Sequence, residues 1–516
     1  MSKSLVALYK GANPTFIAIS LFMATFILRL AFGLKFAFEP YFDFTISIPG
    51  SDQNFFFSWA TAIRNGSWVW AEQSAKAAFQ IAPLYAGLMS ASLQISKYPF
   101  ALLIILQSLL SSSLIFFFIG LAKKLKLKYV GLVSALVWVF YGPSYFYDAC
   151  MIRASLLTSL GFMIVFFLYH YLELPNLRRL ILLGVSLGVL FAIRPSPLLV
   201  ACPLILCALS LKKKSFKLCL GSIGLICIIL ITVSPITARN WMASQTWVPV
   251  SAQGADALIL GNDATGPGVS FVPTQQSSRL KRESKDSSLI AMRLIMRELK
   301  QSPIEYLKLY LRKSRMLLNG YEIPANYSFY LFQRFFPLSK LCFLSYWLLL
   351  PFAGLGVYVL IKTKSSGPFL ICFLSLACGM LVIHIQSRYR FPLAPYLVFL
   401  SSAAVIKCCD LLRSRRTIAA LLIIGYIACV LLLTRPLPSY GYNFATKGNG
   451  VTELNQESIR EVDYLTALLA YFVVGQNKYA EEINKLSIDA YAAYGTHFLT
   501  EFKSKTSDFS NYFLKK

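Results

Sequence analysis

Asp52 is the residue whose setting most suggests chemistry. It follows the turn Pro49, Gly50, Ser51 and opens a segment, Gln53 to Arg64, rich in Phe and Trp, which stops at Asn65 and Gly66. A turn before and a glycine stop after predict a short helix with the carboxylate at or near its N-cap. A carboxylate so placed can cap the helix, or it can take a proton from a hydroxyl. The other charged residues within or beside apolar runs are mostly arginines. They are Arg29, then Arg153 with Asp148, Arg194 before Pro195, Arg239 before Asn240 and Trp241, and Arg388 with Arg390 around Tyr389. Charge inside or at the rim of a bilayer is costly and marks a cavity or a partner. One acid among several guanidinium groups fits a phosphate-bearing substrate, because arginine recognises phosphate through paired donors.

The elements that position these residues follow from composition. The chain has 516 residues, 56% hydrophobic and 14% charged, with mean hydropathy +0.59. Soluble domains carry about 25% charged residues. This composition excludes a soluble enzyme, a disordered chain and a disulfide-stapled secreted domain. The formal charge is +27, but the basic residues fall in short clusters between apolar runs, so no nucleic-acid partner is expected. The 11 cysteines form no CxxC pair and lie mostly in apolar runs, as small packing residues do.

A spanning helix needs about 20 apolar residues. Such runs cover 14–36, 99–122, 128–146, 149–170, 180–194, 196–211, 216–236, 341–361, 368–387, 391–411 and 417–434, so the fold class is an all-α polytopic membrane protein with about eleven transmembrane helices. With the N-terminus in the cytoplasm, alternation puts every short basic cluster inside: Lys123 to Lys128, Arg178 with Arg179, Lys212 to Lys217, Lys362 with Lys364, and Arg413 to Arg416. The opposite side receives the loops 37–98 and 237–340 and the tail 435–516, and with them Asp52 and the arginines. In the second loop, 286–302 and 303–318 read as amphipathic helices. Ser302, Pro303 and Glu305 supply a cap, a first-turn proline and a capping-box acid. The division is a transmembrane catalytic domain, 1–434, and a soluble helical tail, 435–516.

These motifs, in this order, resemble the glycosyltransferase C (GT-C) superfamily of membrane enzymes, in the bacterial branch related to protein O-mannosyltransferases and aminoarabinose transferases. The resemblance spans about 15–412. It is carried by Arg29 through Asp52 and Gly66 to the run Phe79 to Tyr85, and by Asp148 with Arg153 and Arg194 with Pro195. Ala238 to Trp241 leading to Gly261 and Asn262, Glu322 to Pro324, and Arg388 to Pro392 complete it.

The resemblance implies a GT-C-like fold and transfer of a sugar from a polyprenyl-phosphate donor to an acceptor hydroxyl on the extracytoplasmic face of a bacterial inner membrane. The acceptor could be a lipid, a protein or a glycan. Asp52 matches the family's loop acid, the proposed base, and Asp148 is a second catalytic candidate. Arg194, Arg239, Arg388 and Arg390 are candidates to bind the donor phosphate. Arg29, Arg153, Tyr85, Asn262, Glu322 and Tyr389 are further substrate-binding candidates. Gln53 follows Asp52, so the Asp-Glu or Asp-x-Asp pair that would hold a divalent cation is missing; this weakens the case for a cation without removing it, and no cofactor is assigned. The alternatives are a lipid-linked saccharide polymerase or ligase, and a flippase or transporter of lipid-linked sugars. Transporters often show paired repeats and helices broken at mid-bilayer. No repeat is evident here, and the charges gather at one rim.

Overall fold

In a hydrocarbon layer the backbone has no water to bond, so apolar runs must satisfy their N–H and C=O groups internally, as helices. In the computed structural model, every regular element among the described residues is a helix, and strand-like pairing is limited to one bridge between Tyr141 and Leu344. The structure describes residues 14–38, 52–69, 76–96, 98–195, 216–266, 274–322, 341–414 and 417–436, with a few single positions between them. The expected span 196–211, the lysines 212–214 and nearly all of the tail 435–516 lie outside the described residues.

The helices in chain order are α1 (Pro14–Ala37), α2 (Asp52–Arg64), α3 (Leu84–Ile95), α4 (Pro99–Lys124), α5 (Val130–Val139), α6 (Gly142–Ala149), α7 (Ala154–Glu173), α8 (Leu177–Ile193) and α9 (Phe216–Ser244). They continue as α10 (Gly254–Gly261), α11 (Gln275–Ser284), α12 (Ser288–Gln301), α13 (Pro303–Leu318), α14 (Tyr346–Ile361), α15 (Gly367–Val382), α16 (Ser387–Arg390), α17 (Ala394–Arg413) and α18 (Thr417–Leu433). A 3-10 turn, Phe391–Leu393, joins α16 to α17. Among the described residues, five stretches are long and apolar enough to cross a membrane: Thr15–Ala37, Phe100–Lys124, Ala154–Glu173, Gly221–Ser244 and Ser387–Arg413. The chain is an all-α integral membrane protein.

The helices depart from the expected spans at several points. Residues 128–146, read as one span, form α5 and α6 with a break at Phe140 and Tyr141. There the amide of Gly142 bonds Leu344 O (2.9 Å) and that of Leu344 bonds Phe140 O (3.0 Å). Pro143 then restarts the helix at its first turn, where a missing N–H costs nothing. The run 368–387 ends at Val382, so His384 and Gln386 lie between helices. The run 216–236 instead continues to Ser244 through Pro235.

Close helix contacts set the bundle. α1 packs on α4, α4 on α5 and α7, α8 on α9, and α14 on α17. Small residues permit this, as they do where helices meet in lipid. A Cβ on Gly184 would stand 2.6 Å from Ile228 Cγ2, and one on Gly188 would stand 2.5 Å from Thr232 Cβ.

Helices α10 to α13 form a smaller unit with its own core of Ala255, Ile259, Leu280, Ala291, Ile295, Tyr306 and Leu309. The two amphipathic helices of the second loop are α12 and α13, within a residue or two of expectation. The expected cap at Ser302 does not form. Ser302 also ends α12, its amide bonded to Glu298 O (2.9 Å), so its backbone is set by the helix it closes. Glu305 pairs with Lys308 at 2.7 Å. The capping box stands instead at α11, between Thr274 and Ser277.

Candidate functional site

Asp52 occupies the first turn of α2, and the next residue fixes where that turn sits. Gln53 is buried, and its Oε1 accepts the amide of Met151 (2.8 Å) from the turn after α6. The apolar face of α2 packs inward through Phe56 and Trp59. With both contacts made, the Asp52 carboxylate faces outward and pairs with Arg388 on α16. The Asp52 side chain is 35% exposed and that of Arg388 is 11% exposed, so the pair is open to a ligand on the acid's side.

Arg388 is held by two neighbours. Its Nε donates to Gln386 Oε1 (3.0 Å) and its Nη2 donates to the Tyr389 hydroxyl (3.2 Å). Gln386 is buried and went unnoticed in the sequence. An amide two residues before an arginine at a span end is the signal that could have found it. Arg194 caps α8 and lays its guanidinium over the Tyr389 ring, 3.8 Å from the centroid. Arg153 donates to Ile193 O (3.2 Å), which ties it to the same helix end. Arg194, Arg388, Tyr389 and Pro392 line a pocket whose remaining wall is largely apolar: Leu157, Leu376, Met380 and Ile383. Four sequence-selected residues therefore converge here: Asp52, Arg388, Arg194 and Tyr389, with Arg153 beside them.

Other selected residues are placed as braces in the interior. Arg29 and Asp148 form a fully buried ion pair. Arg29 also donates to Ser144 Oγ (2.8 Å) and lies 4.5 Å from the Tyr145 ring centroid, while Ser155 donates to Asp148. Buried charges persist when paired and hydrogen-bonded in this way. Tyr85 is buried, donates to Gln107 Oε1 (3.2 Å) and packs edge-on to Phe56 (4.9 Å). Gln107, a polar residue inside a span, donates to Asp148 O (2.8 Å) and Cys150 O (3.2 Å). Arg390 is buried against Glu322 (3.5 Å), donates to the carbonyls of Asn319 and Tyr321, and lies 4.1 Å from the Tyr346 ring centroid. It pins the chain after α13 into the bundle.

Arg239 and Asn262 act on loops. Arg239 donates to Ala77 O (2.8 Å) and stacks on Phe79 (4.0 Å). Its neighbour Asn240 bonds Phe79 N (2.9 Å), Val248 O (3.0 Å) and Val250 O (3.1 Å), which joins the end of α9 to both loops. Asn262 donates to Val382 O (2.7 Å) and accepts from the Tyr310 hydroxyl (2.7 Å), so it seats the small unit on the end of α15. Lys313 is fully buried in the same junction and donates to Gly261 O (2.6 Å). Burial first, and then the adjacent Arg312, lowers its pKa to about 7.

No protein-family model matches this chain, and no curated protein does. The likeness to glycosyltransferases therefore rests on the residues themselves. Among the described residues, the charged group facing the Asp52 carboxylate is a guanidinium, which offers a divalent cation no ligand. Among the described residues, no three His, Cys, Asp or Glu side chains converge elsewhere to offer a ligand set.

Proposed function

We propose that the chain is an integral-membrane glycosyltransferase that moves a sugar from a polyprenyl-phosphate donor to an acceptor hydroxyl. The observation that carries this reading is the Asp52–Arg388 pair, whose arginine lines a pocket together with Arg194 and an apolar wall. The apolar wall suits a lipid chain and the two arginines suit its phosphate. Asp52 supplies a partly exposed carboxylate to take the acceptor's proton.

The reaction balances with these groups alone. The acceptor oxygen attacks the anomeric carbon, and the bond from that carbon to the phosphate oxygen breaks. The phosphate leaves with the electron pair, and the hydroxyl proton passes to Asp52. Guanidinium groups stabilise the charge that grows on the leaving phosphate. The phosphate needs no proton to leave, so one carboxylate suffices, unlike the two used in glycoside hydrolysis. Without donor, Arg388 occupies the Asp52 carboxylate. A donor phosphate competes for Arg388 and frees the acid, so the base is released as the substrate arrives.

Within this reading Arg194 and Arg388 bind phosphate, Tyr389 orients Arg194, and Arg153 adds positive charge at the rim. Arg29, Asp148, Arg390, Glu322 and Tyr85 hold the fold, and Arg239 and Asn262 position the flanking loops. The membrane is proposed as a bacterial cell membrane with the N-terminus cytoplasmic and the site on the far face. The test is the purified full chain in liposomes with labelled polyprenyl-phosphate sugars and a membrane extract as acceptor. Loss of label from the lipid with wild type, and none with Asp52→Asn, supports the reading. Label that crosses the bilayer without leaving the lipid overturns it in favour of transport.

A further inference from the structure

At the ends of α1 and α4 remote from the 37–98 loop, the structure has a second cavity, of about 260 Å³. Its walls come from the first turns of α1 (Ile17), the last turns of α4 (Ile119, Lys123) and the start of α5 (Leu132), with Lys126 and Lys128 on the turn between α4 and α5. Lys123, Lys126 and Lys128 are exposed. Among the described residues none of the three has a carboxylate partner, whereas their neighbour Lys124 is paired with Glu173. Like charges gathered at one opening create a positive potential that favours an anion there.

The turn that carries them is rigidly made. Lys126 and Tyr129 take left-handed backbone angles, φ 57° and 64°. The amides of Lys126 and Leu127 close back on Lys123 O (3.1 Å) and Ala122 O (2.9 Å). A Cβ on Gly131 would stand 2.6 Å from Ile119 Cα, so α5 lies directly against α4 and the turn has no room to relax. Lys128 rests over the Tyr129 ring at 4.9 Å. The lysines are therefore presented by a fixed frame.

We propose that this cavity binds the phosphate headgroup of an anionic phospholipid, with the acyl region against Ile17, Ile119 and Leu132. Ile17 and Ile119 belong to helices long and apolar enough to span a membrane, Leu132 belongs to a shorter apolar helix, and the cations sit where the spanning helix α4 ends, at headgroup depth. A free phosphate would use the lysines and leave the apolar wall idle. A lipid uses both. The proposal rests on nothing in the proposed reaction and survives its failure.

The experiment is a titration of the purified full chain in detergent, followed by native mass spectrometry. The ligands are short-chain phosphatidylglycerol, phosphatidylcholine of the same chain length, and inorganic phosphate. One saturable phosphatidylglycerol is expected, with phosphatidylcholine and inorganic phosphate at least tenfold weaker. The triple variant K123Q/K126Q/K128Q should weaken phosphatidylglycerol at least tenfold while its melting temperature stays near wild type, since all three side chains are exposed. Leu132→Trp, which fills the cavity and keeps the charges, should weaken it as well. Arg178→Gln, in a different basic cluster, should change nothing. Equal binding of the two lipids, or an unchanged triple variant, overturns the proposal. Inorganic phosphate as strong as the lipid also overturns it and makes the cavity a free-anion site.

Discussion

Arg388 on α16 meets the carboxylate of Asp52 on α2, two residues far apart in the chain. Neither can move freely. Gln53 is bonded to the amide of Met151 beneath the acid, and Gln386 and Tyr389 hold the guanidinium from behind. The pair's arginine lines a pocket, whereas the Arg29–Asp148 and Arg390–Glu322 pairs are buried in the core.

Asp52→Asn should fold as wild type and lose roughly 10²–10⁴-fold in turnover, the range for removal of a general acid or base. Arg388→Gln should instead weaken donor binding. Single-turnover kinetics with labelled donor separate the two effects. Near-normal turnover in Asp52→Asn would remove the acid from the mechanism.

The Arg29–Asp148 pair gives a different signature. Removing one partner of a buried ion pair leaves a charge without compensation and costs about 3–5 kcal/mol. Asp148→Ala should therefore lower the melting temperature and the yield of folded protein. Replacing both residues with apolar ones should recover much of the loss. A stable but inactive Asp148→Ala would move this residue from the frame to the chemistry.

Lys313 makes the small unit sensitive to pH. Its folded pKa, about 7, lies below its ordinary value of 10.5. Between these values the unfolded chain binds a proton that the folded chain does not, so stability rises with pH across that window. Below pH 7 the buried amine must be charged and the cost is present in full. Protease cleavage within α10 to α13 should be faster at pH 6 than at pH 9. Lys313→Met should flatten this difference. An unchanged pH dependence in that variant would refute the assignment.

Gly261 tests how that unit is seated. A Cβ there would stand 2.7 Å from backbone atoms of Ile383, which cannot yield as a side-chain tip can. Gly261→Ala should shift the unit off α15 and raise amide hydrogen exchange around Asn262 and Tyr310, while α4 and α17 keep their protection. Equal exchange in both forms would show that the contact is not tight.

The topology is open to labelling. In a cysteine-depleted background, cysteines at positions 285 and 126, both exposed, should react with an impermeant reagent from opposite sides of the membrane. Reaction of both from one side would mean an odd number of crossings between them is wrong.

The sequence by itself determined the class of fold. Apolar runs of membrane length must be helices because nothing in lipid will bond their backbone, and that constraint acts locally. It also marked the start of α13 at Pro303 and the end of α2 at Asn65 and Gly66, since these signals lie within a few residues of the structure they set. It marked which charges were out of place, Asp52, Arg194 and Arg388 among them. Tertiary structure decided what each of those charges does. Arg388 and Arg390 are two residues apart and look alike in sequence, yet one opens to a pocket and the other is buried against Glu322. The break at Phe140 was also settled over distance, by backbone bonds to Leu344. A guanidinium's role depends on which carboxylate lies across from it, and that carboxylate comes from another helix.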